Sequence, residues 1–225
     1  MNPFSLEADF DAAILDLDGT LVDTLGDFVF SLNAMLDDLA LPRVQRALVA
    51  NLVGKGSEHL IQSTLALARP EASASSLEAI YPQAWDSYQG HYRRINGQHA
   101  EVYPGVIEGL DQLAQGGLKL ACLTNKPTAF ALTLLQDKNL SSYFDFIFGG
   151  DSFARKKPDP LPLLKTCEAL GSEPGRTLMV GDSSNDAQAA RAAGCPVLLV
   201  SYGFNHGQPI HAVPADGYMD SMAEL

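Results

Sequence analysis

Only three cysteines occur in 225 residues, Cys122, Cys167 and Cys195. An odd, widely spaced set does not describe a disulfide framework or a cysteine metal cluster, and Cys122 sits within the apolar run 118–123. Reduced, partly buried thiols are the expected state. Positive charge is scarce as well. Fifteen Lys and Arg stand against 27 Asp and Glu, a formal net charge of −12, and the basic residues are scattered. That leaves no basic face for nucleic acid. Long hydrophobic runs are missing: none approaches a membrane span, and Met1 to Glu7 have neither the basic region nor the apolar stretch of a signal peptide. The expectations are a cytoplasmic location, no membrane partner, and a monomer or homodimer. A small anionic substrate stays open, because one local cation in a cleft outweighs the global field.

What the chain does have is a recurring pattern. The short apolar run 12–15 stops at an acidic turn, Asp16 to Thr20. Runs at 118–123, 177–180 and 196–200 repeat the theme, the first two of them ending at Thr124-Asn125 and Gly181-Asp182. Runs of this kind suit strands covered on both faces. Helical spacing is expected over 104–114, 128–136, 160–170 and 185–193, with Gly171 and Gly194 as C-terminal caps. Alternation of strand and helix predicts an α/β fold: a Rossmann-like parallel sheet with helices on both faces. Residues 24–98 break the alternation, with apolar residues at helical spacing over 28–39 and further helical stretches from about Val44, over 57–68 and over 76–95. No strand-like run is evident there. The expected division is a core of residues 1–23 and 99–225, interrupted by a small all-helical insertion at 24–98.

In an open parallel sheet, ligands bind beyond the carboxyl ends of the strands. Asp16 and Asp18, then Thr124 and Asn125, then Asp182, Asn185 and Asp186 are all expected at that edge, and the Lys156-Lys157-Pro158 turn can approach it. One Asp after a strand is commonly a cap or turn residue. Several strand ends carrying such groups are harder to dismiss. Converging carboxylates repel, and a hard divalent ion with oxygen ligands neutralises them; Mg²⁺ suits a site of few carboxylates.

Four segments, in order, carry a resemblance. Asp16-Leu17-Asp18-Gly19-Thr20, Leu123-Thr124-Asn125-Lys126-Pro127, Lys156-Lys157-Pro158-Asp159-Pro160 and Gly181-Asp182-Ser183-Ser184-Asn185-Asp186 resemble the four motifs of the haloacid dehalogenase superfamily. Within it, Gly54-Lys55-Gly56 and the run Tyr202 to Gly207 look like the bacterial phosphoglycolate phosphatases. The resemblance implies a magnesium-dependent phosphatase for a small phosphorylated metabolite, 2-phosphoglycolate first. It implies Asp16 as nucleophile and Asp18 as acid and base. Mg²⁺ would be held by Asp16, by the backbone carbonyl of Asp18, and by Asp182, with Asp186 as a further ligand or its partner. Thr124 and Asn125 would meet the phosphoryl group, and Lys157, directly before Pro158, would neutralise its charge. The insertion would be a mobile cap whose Gly54, Lys55 and Gly56 help select substrate. The core motifs do not separate this from a phosphatase for a sugar phosphate (such as an amino-sugar 6-phosphate) or pyrophosphate, or from a sugar phosphomutase. Asp18 disfavours a dehalogenase, which lacks the second aspartate.

Other signals carry less. Gly54-Lys55-Gly56-Ser57 is not a nucleotide-binding P-loop, because Val49 stands where the first glycine is required. Lys126 reads as a solvated lysine, Arg93 and Arg94 as a solvated helix end, and His206 and His211 as surface-loop residues.

Overall fold

The computed structural model describes residues 6–225; the chain's first five residues, where part of the leader expectation falls, lie outside the described residues. A short helix α1 (Leu6–Asp9) leads into β1 (Ala12–Leu15), and β2 (Val22–Asp23) follows the acidic turn. Next come four helices, α2 (Leu25–Asp38), α3 (Arg46–Ala50), α4 (Ser57–Ala68) and α5 (Ala74–Ile95), before β3 (Glu101–Val102). The remainder alternates: α6 (Val106–Gln115), β4 (Lys119–Leu123), α7 (Thr128–Asp137), β5 (Phe146–Phe148), α8 (Leu161–Leu170), β6 (Thr177–Gly181), α9 (Ser184–Ala193), β7 (Val197–Val200) and β8 (Gly217–Met219).

Six strands form one parallel sheet in the order β5-β4-β1-β6-β7-β8. Strand alternation divides its side chains between two cores. Ala13, Leu15, Leu120, Cys122, Leu178 and Val180 pack toward Leu110 of α6 and Leu134 of α7. Ala12, Ile14, Ala121, Leu123 and Met179 pack toward Leu163 of α8 and Ala190 of α9. Central strands therefore bury both faces, which is why they read as unbroken apolar runs.

Helix boundaries follow local chemistry. Gly105, in the left-handed region at φ 84°, delays the start of α6 to Val106, two residues beyond the predicted start. Gly171 and Gly194 close α8 and α9 in that same region. Helix α5 starts at Ala74, two residues before the predicted 76, because the Ser73 side chain accepts a hydrogen bond from the Ser76 amide. All three cysteines are free and buried. No helix among the described residues is long and apolar enough to cross a membrane.

The four helices between β2 and β3 have a core of their own, including Phe28, Leu32, Met35, Leu60, Ile61, Tyr88 and Tyr92. β2 and β3 pair antiparallel at the base of this insertion. Buried Asp27 fastens the returning chain, accepting from the Gly97 amide at 2.6 Å and the His99 amide at 2.8 Å.

Candidate active site

Because β4, β1 and β6 are neighbours, their carboxyl ends set Thr124, Asp16 and Asp182 side by side. The Asp16 amide donates to the Val180 carbonyl at 3.0 Å, which extends the strand register by one residue and fixes where the side chain leaves the sheet. Asp16 Oδ1 accepts from the Leu17 amide at 2.8 Å and lies 3.0 Å from Lys157 Nζ. Lys157 Nζ also donates to Asp186 Oδ1 and to the Leu123 carbonyl, each at 2.7 Å. Helix α9 supplies Asp186, whose Oδ2 accepts from the Ser183 hydroxyl at 2.7 Å and amide at 3.1 Å, a capping box at the helix start.

Asp182 is gripped from the other side. Its Oδ2 accepts from the Phe204 amide at 2.6 Å, and Oδ1 has only a long 3.4 Å contact from the Thr20 hydroxyl. Gly203 allows this grip: a Cβ there would fall 2.3 Å from Asp182 Cβ.

Carboxylate oxygens of Asp16, Asp182 and Asp186 all lie within 4.8 Å of one another. Burial pushes Asp16 up to about 7 despite the Lys157 ammonium beside it. Burial, then the charges of Asp186 and Asp16, push Asp182 well above the carboxylate range. Burial works against the charge of Lys157 too, but Asp16 and Asp186 outweigh it and hold the ammonium above its ordinary value. Three buried carboxylates thus share one buried cation. The donor set fits a hard divalent ion: Asp16 Oδ2 has no hydrogen-bond partner among the described residues, and Asp182 Oδ1 has only the weak one. Asp186 differs, because protein donors occupy both of its oxygens.

The other candidates fall into two groups. Asp18 is buried but outside that cluster, and its carboxylate accepts from Lys126 Nζ at 2.9 Å. Buried Thr124 commits its amide to the Phe148 carbonyl and receives the Lys126 amide on its hydroxyl, leaving the hydroxyl hydrogen to donate. Asn125 spends its side-chain amide on loops, donating to the Gly54 carbonyl at 3.0 Å and the Lys157 carbonyl at 2.8 Å. Asn185 donates to that Gly54 carbonyl as well, also at 3.0 Å. Gly54 and Gly56, both at positive φ, line the same pocket as Asp16, Asp18 and Thr124. Lys55, between them, is exposed and outside that lining. Lys156 pairs with Glu58 at 3.1 Å, well exposed, while Lys157 is buried at the carboxylates.

Two expectations need correction. Lys126 is not solvated: its side chain is 2% exposed, paired with Asp18 and set over the rings of Phe28 and Tyr92. The helical insertion delivers those rings, and their arrival from distant sequence is invisible at Lys126 itself. His206 does not stand free on a loop, because the turn at His206-Gly207 folds it against Gly54. Arg93, Arg94 and His211 are exposed, as expected. The Phe204 amide and Gly203 had no side-chain signal to find. The polar wall formed by Lys126 and Tyr92 was legible only as a lysine following Thr124-Asn125.

Residues 13–200 match the family model for haloacid dehalogenase-like hydrolases. The phosphoglycolate phosphatases of Thiobacillus denitrificans and Nitrosospira multiformis are each 40% identical over 213 residues, covering 95% of this chain and 92% of theirs. Among solved structures, one from Haemophilus somnus, described as a predicted phosphoglycolate phosphatase, superposes with a TM-score of 0.88 at 33% identity, covering 96% of each chain. The match runs from within β1 to the end of β7 and takes in every strand end described above, so the chain belongs to the haloacid dehalogenase-like hydrolase family.

Proposed function

We propose that the chain is a magnesium-dependent phosphatase acting on a small phosphate monoester, with 2-phosphoglycolate the best single substrate, as its relatives' names indicate. The observation that carries the mechanism is Lys157 Nζ set between Asp16 and Asp186, at the edge where Asp16 and Asp182 converge. Asp16 and Asp182 would hold Mg²⁺, joined by the Asp18 backbone carbonyl, with Asp186 orienting Lys157. When bound, the ion would supply positive charge to the phosphoryl oxygens and offset the negative charge of the carboxylates.

The chain's own groups then divide the work. An Asp16 oxygen forms a bond to phosphorus as the ester P–O bond breaks, and Asp18 gives its proton to the departing alkoxide. In the second step water attacks phosphorus, its proton passes to Asp18, and the bond to Asp16 breaks to release phosphate. Lys157 and the Thr124 hydroxyl stabilise charge on the transferring group. Residues 24–98 act as a cap over this site, with Gly54 and Gly56 at its rim and Lys55 outside the pocket. We infer a cytoplasmic location for this reaction.

Phosphate release from 2-phosphoglycolate, followed with and without EDTA, tests the reading. Activity should require Mg²⁺ and fall by about 10⁴-fold or more in Asp16→Asn. Near-normal turnover by that variant overturns the mechanism.

A further inference from the structure

Lys126 and Lys157 are the two lysines buried among the described residues. Lys157 belongs to the phosphoryl end of the site. Lys126 stands elsewhere, its ammonium 2.9 Å from Asp18 Oδ1 and 4.7 and 4.9 Å from the ring centres of Phe28 and Tyr92. Burying an ammonium costs several kcal/mol unless partners replace its water. Here one carboxylate and two ring faces do so in part, but an ammonium has three N–H bonds and this one has a single hydrogen-bond acceptor among the described residues.

A second donor is left over beside it. Tyr92 is 1% exposed and its hydroxyl is buried with no hydrogen-bond partner among the described residues. Burial, and next the charge of Asp18, hold that hydroxyl well above its usual value, so it stays a neutral donor. A buried, unpaired hydroxyl costs about 1–3 kcal/mol and calls for an explanation. Lys126 and Tyr92 line one pocket with Asp16, Asp18 and Thr124, and Lys126 is the only cation in that lining.

Position decides what these donors meet. In the proposed reaction Asp18 protonates the leaving-group oxygen, so the leaving group lies on the Asp18 side of phosphorus. Lys126 Nζ touches Asp18 and sits over the Tyr92 ring, so both donors belong to the Asp18 side of the pocket. We propose that Lys126 Nζ and Tyr92 Oη bind a carboxylate on the leaving group, and so select short phosphomonoesters that carry a carboxylate close to the ester oxygen. A sugar hydroxyl would accept a hydrogen bond there but bring no charge to meet the ammonium. This inference rests on the hydrolytic reading above and names the residues that select its substrate.

The test compares kcat/KM for 2-phosphoglycolate with that for ethyl phosphate, which lacks the carboxylate, in the Mg²⁺-loaded enzyme. The wild type should favour 2-phosphoglycolate. Lys126→Met should shrink that ratio by about tenfold to a hundredfold, the worth of one charged hydrogen bond. Lys126→Arg should keep most of it, and Tyr92→Phe should lower it severalfold. Because Lys126 also holds Asp18, both absolute rates should drop in Lys126→Met; the ratio is the readout. An unchanged ratio in Lys126→Met overturns the proposal, as does a wild type indifferent to the carboxylate while it hydrolyses both esters. Should Lys126→Met not fold, Tyr92→Phe decides, and a wild-type ratio there is the contrary result. The hydrolytic reading fails differently, through turnover in Asp16→Asn.

Discussion

The Lys157 ammonium lies closer to Asp186 than to Asp16, 2.7 Å against 3.0 Å. Asp186 is itself immobilised by the Ser183 hydroxyl and amide. The chain of contacts therefore runs from the start of α9, through Asp186 and Lys157, to Asp16. Asp186→Asn keeps the shape but weakens the hold on Lys157, and activity should fall about tenfold to a hundredfold. Asp186→Ala strands a buried ammonium and should also cost about 3–5 kcal/mol of stability, read by denaturant unfolding. Wild-type kinetics in Asp186→Asn would contradict the chain of contacts.

The adjacent lysines should separate cleanly. Lys156 forms an exposed pair with Glu58, and such pairs contribute about 0–1 kcal/mol. Lys156→Ala should leave turnover nearly intact. Lys157→Ala removes the cation beside Asp16 and should lower kcat by about a hundredfold to a thousandfold. Side-by-side steady-state assays check both, and comparable losses would refute the assignment.

Gly203 tests how Asp182 is placed. A Cβ at that position would approach Asp182 Oδ2 to 2.4 Å and the Gly19 carbonyl to 2.5 Å. In Gly203→Ala the carboxylate must shift, so the Mg²⁺ concentration for half-activation should rise about tenfold or more, with the far-UV circular dichroism unchanged.

Metal-free stability should depend on pH. Asp16 has an ordinary carboxyl value of 3.8 and about 7 in the fold, and Asp182 is raised as well. Groups raised by folding hold their protons more tightly in the folded state. Their contribution is fully present below about pH 4 and is lost as pH rises through about 7. The metal-free protein should therefore melt at a lower temperature at pH 7.5 than at pH 5. Added Mg²⁺, which requires the ionised carboxylates, should restore more at pH 7.5 than at pH 5. Calorimetric scans at both pH values decide it, and an equal response to Mg²⁺ would contradict the charge balance described for the site.

Legibility in the sequence tracked burial. β1, β4, β6 and β7 lie inside the sheet and showed as apolar runs within a residue of their ends. β5 and β8 are its edges, three residues each, with Phe146 exposed and Gly217 and Tyr218 half-buried, and they left no such run. Asp16, Thr124 and Asp182 could be placed at one edge because strand ends fix position, whereas Lys157, in the loop between β5 and α8, was singled out only by the resemblance, as the lysine directly before Pro158. Lys126 could not, since its solvent is replaced by Phe28 and Tyr92 from two helices of the insertion. Nor could the Phe204 amide, a backbone group whose role depends on Gly203 beside it.

Covalent catalysis by Asp16 is the central claim, and chemical trapping reaches it directly. The Mg²⁺-loaded enzyme is quenched during turnover of 2-phosphoglycolate, reduced with borohydride and mapped by peptide mass spectrometry. An acyl phosphate on Asp16 would be reduced to homoserine at that position, and the product should vanish without substrate. Turnover with Asp16 unmodified and the phosphoryl group trapped on another side chain would contradict it.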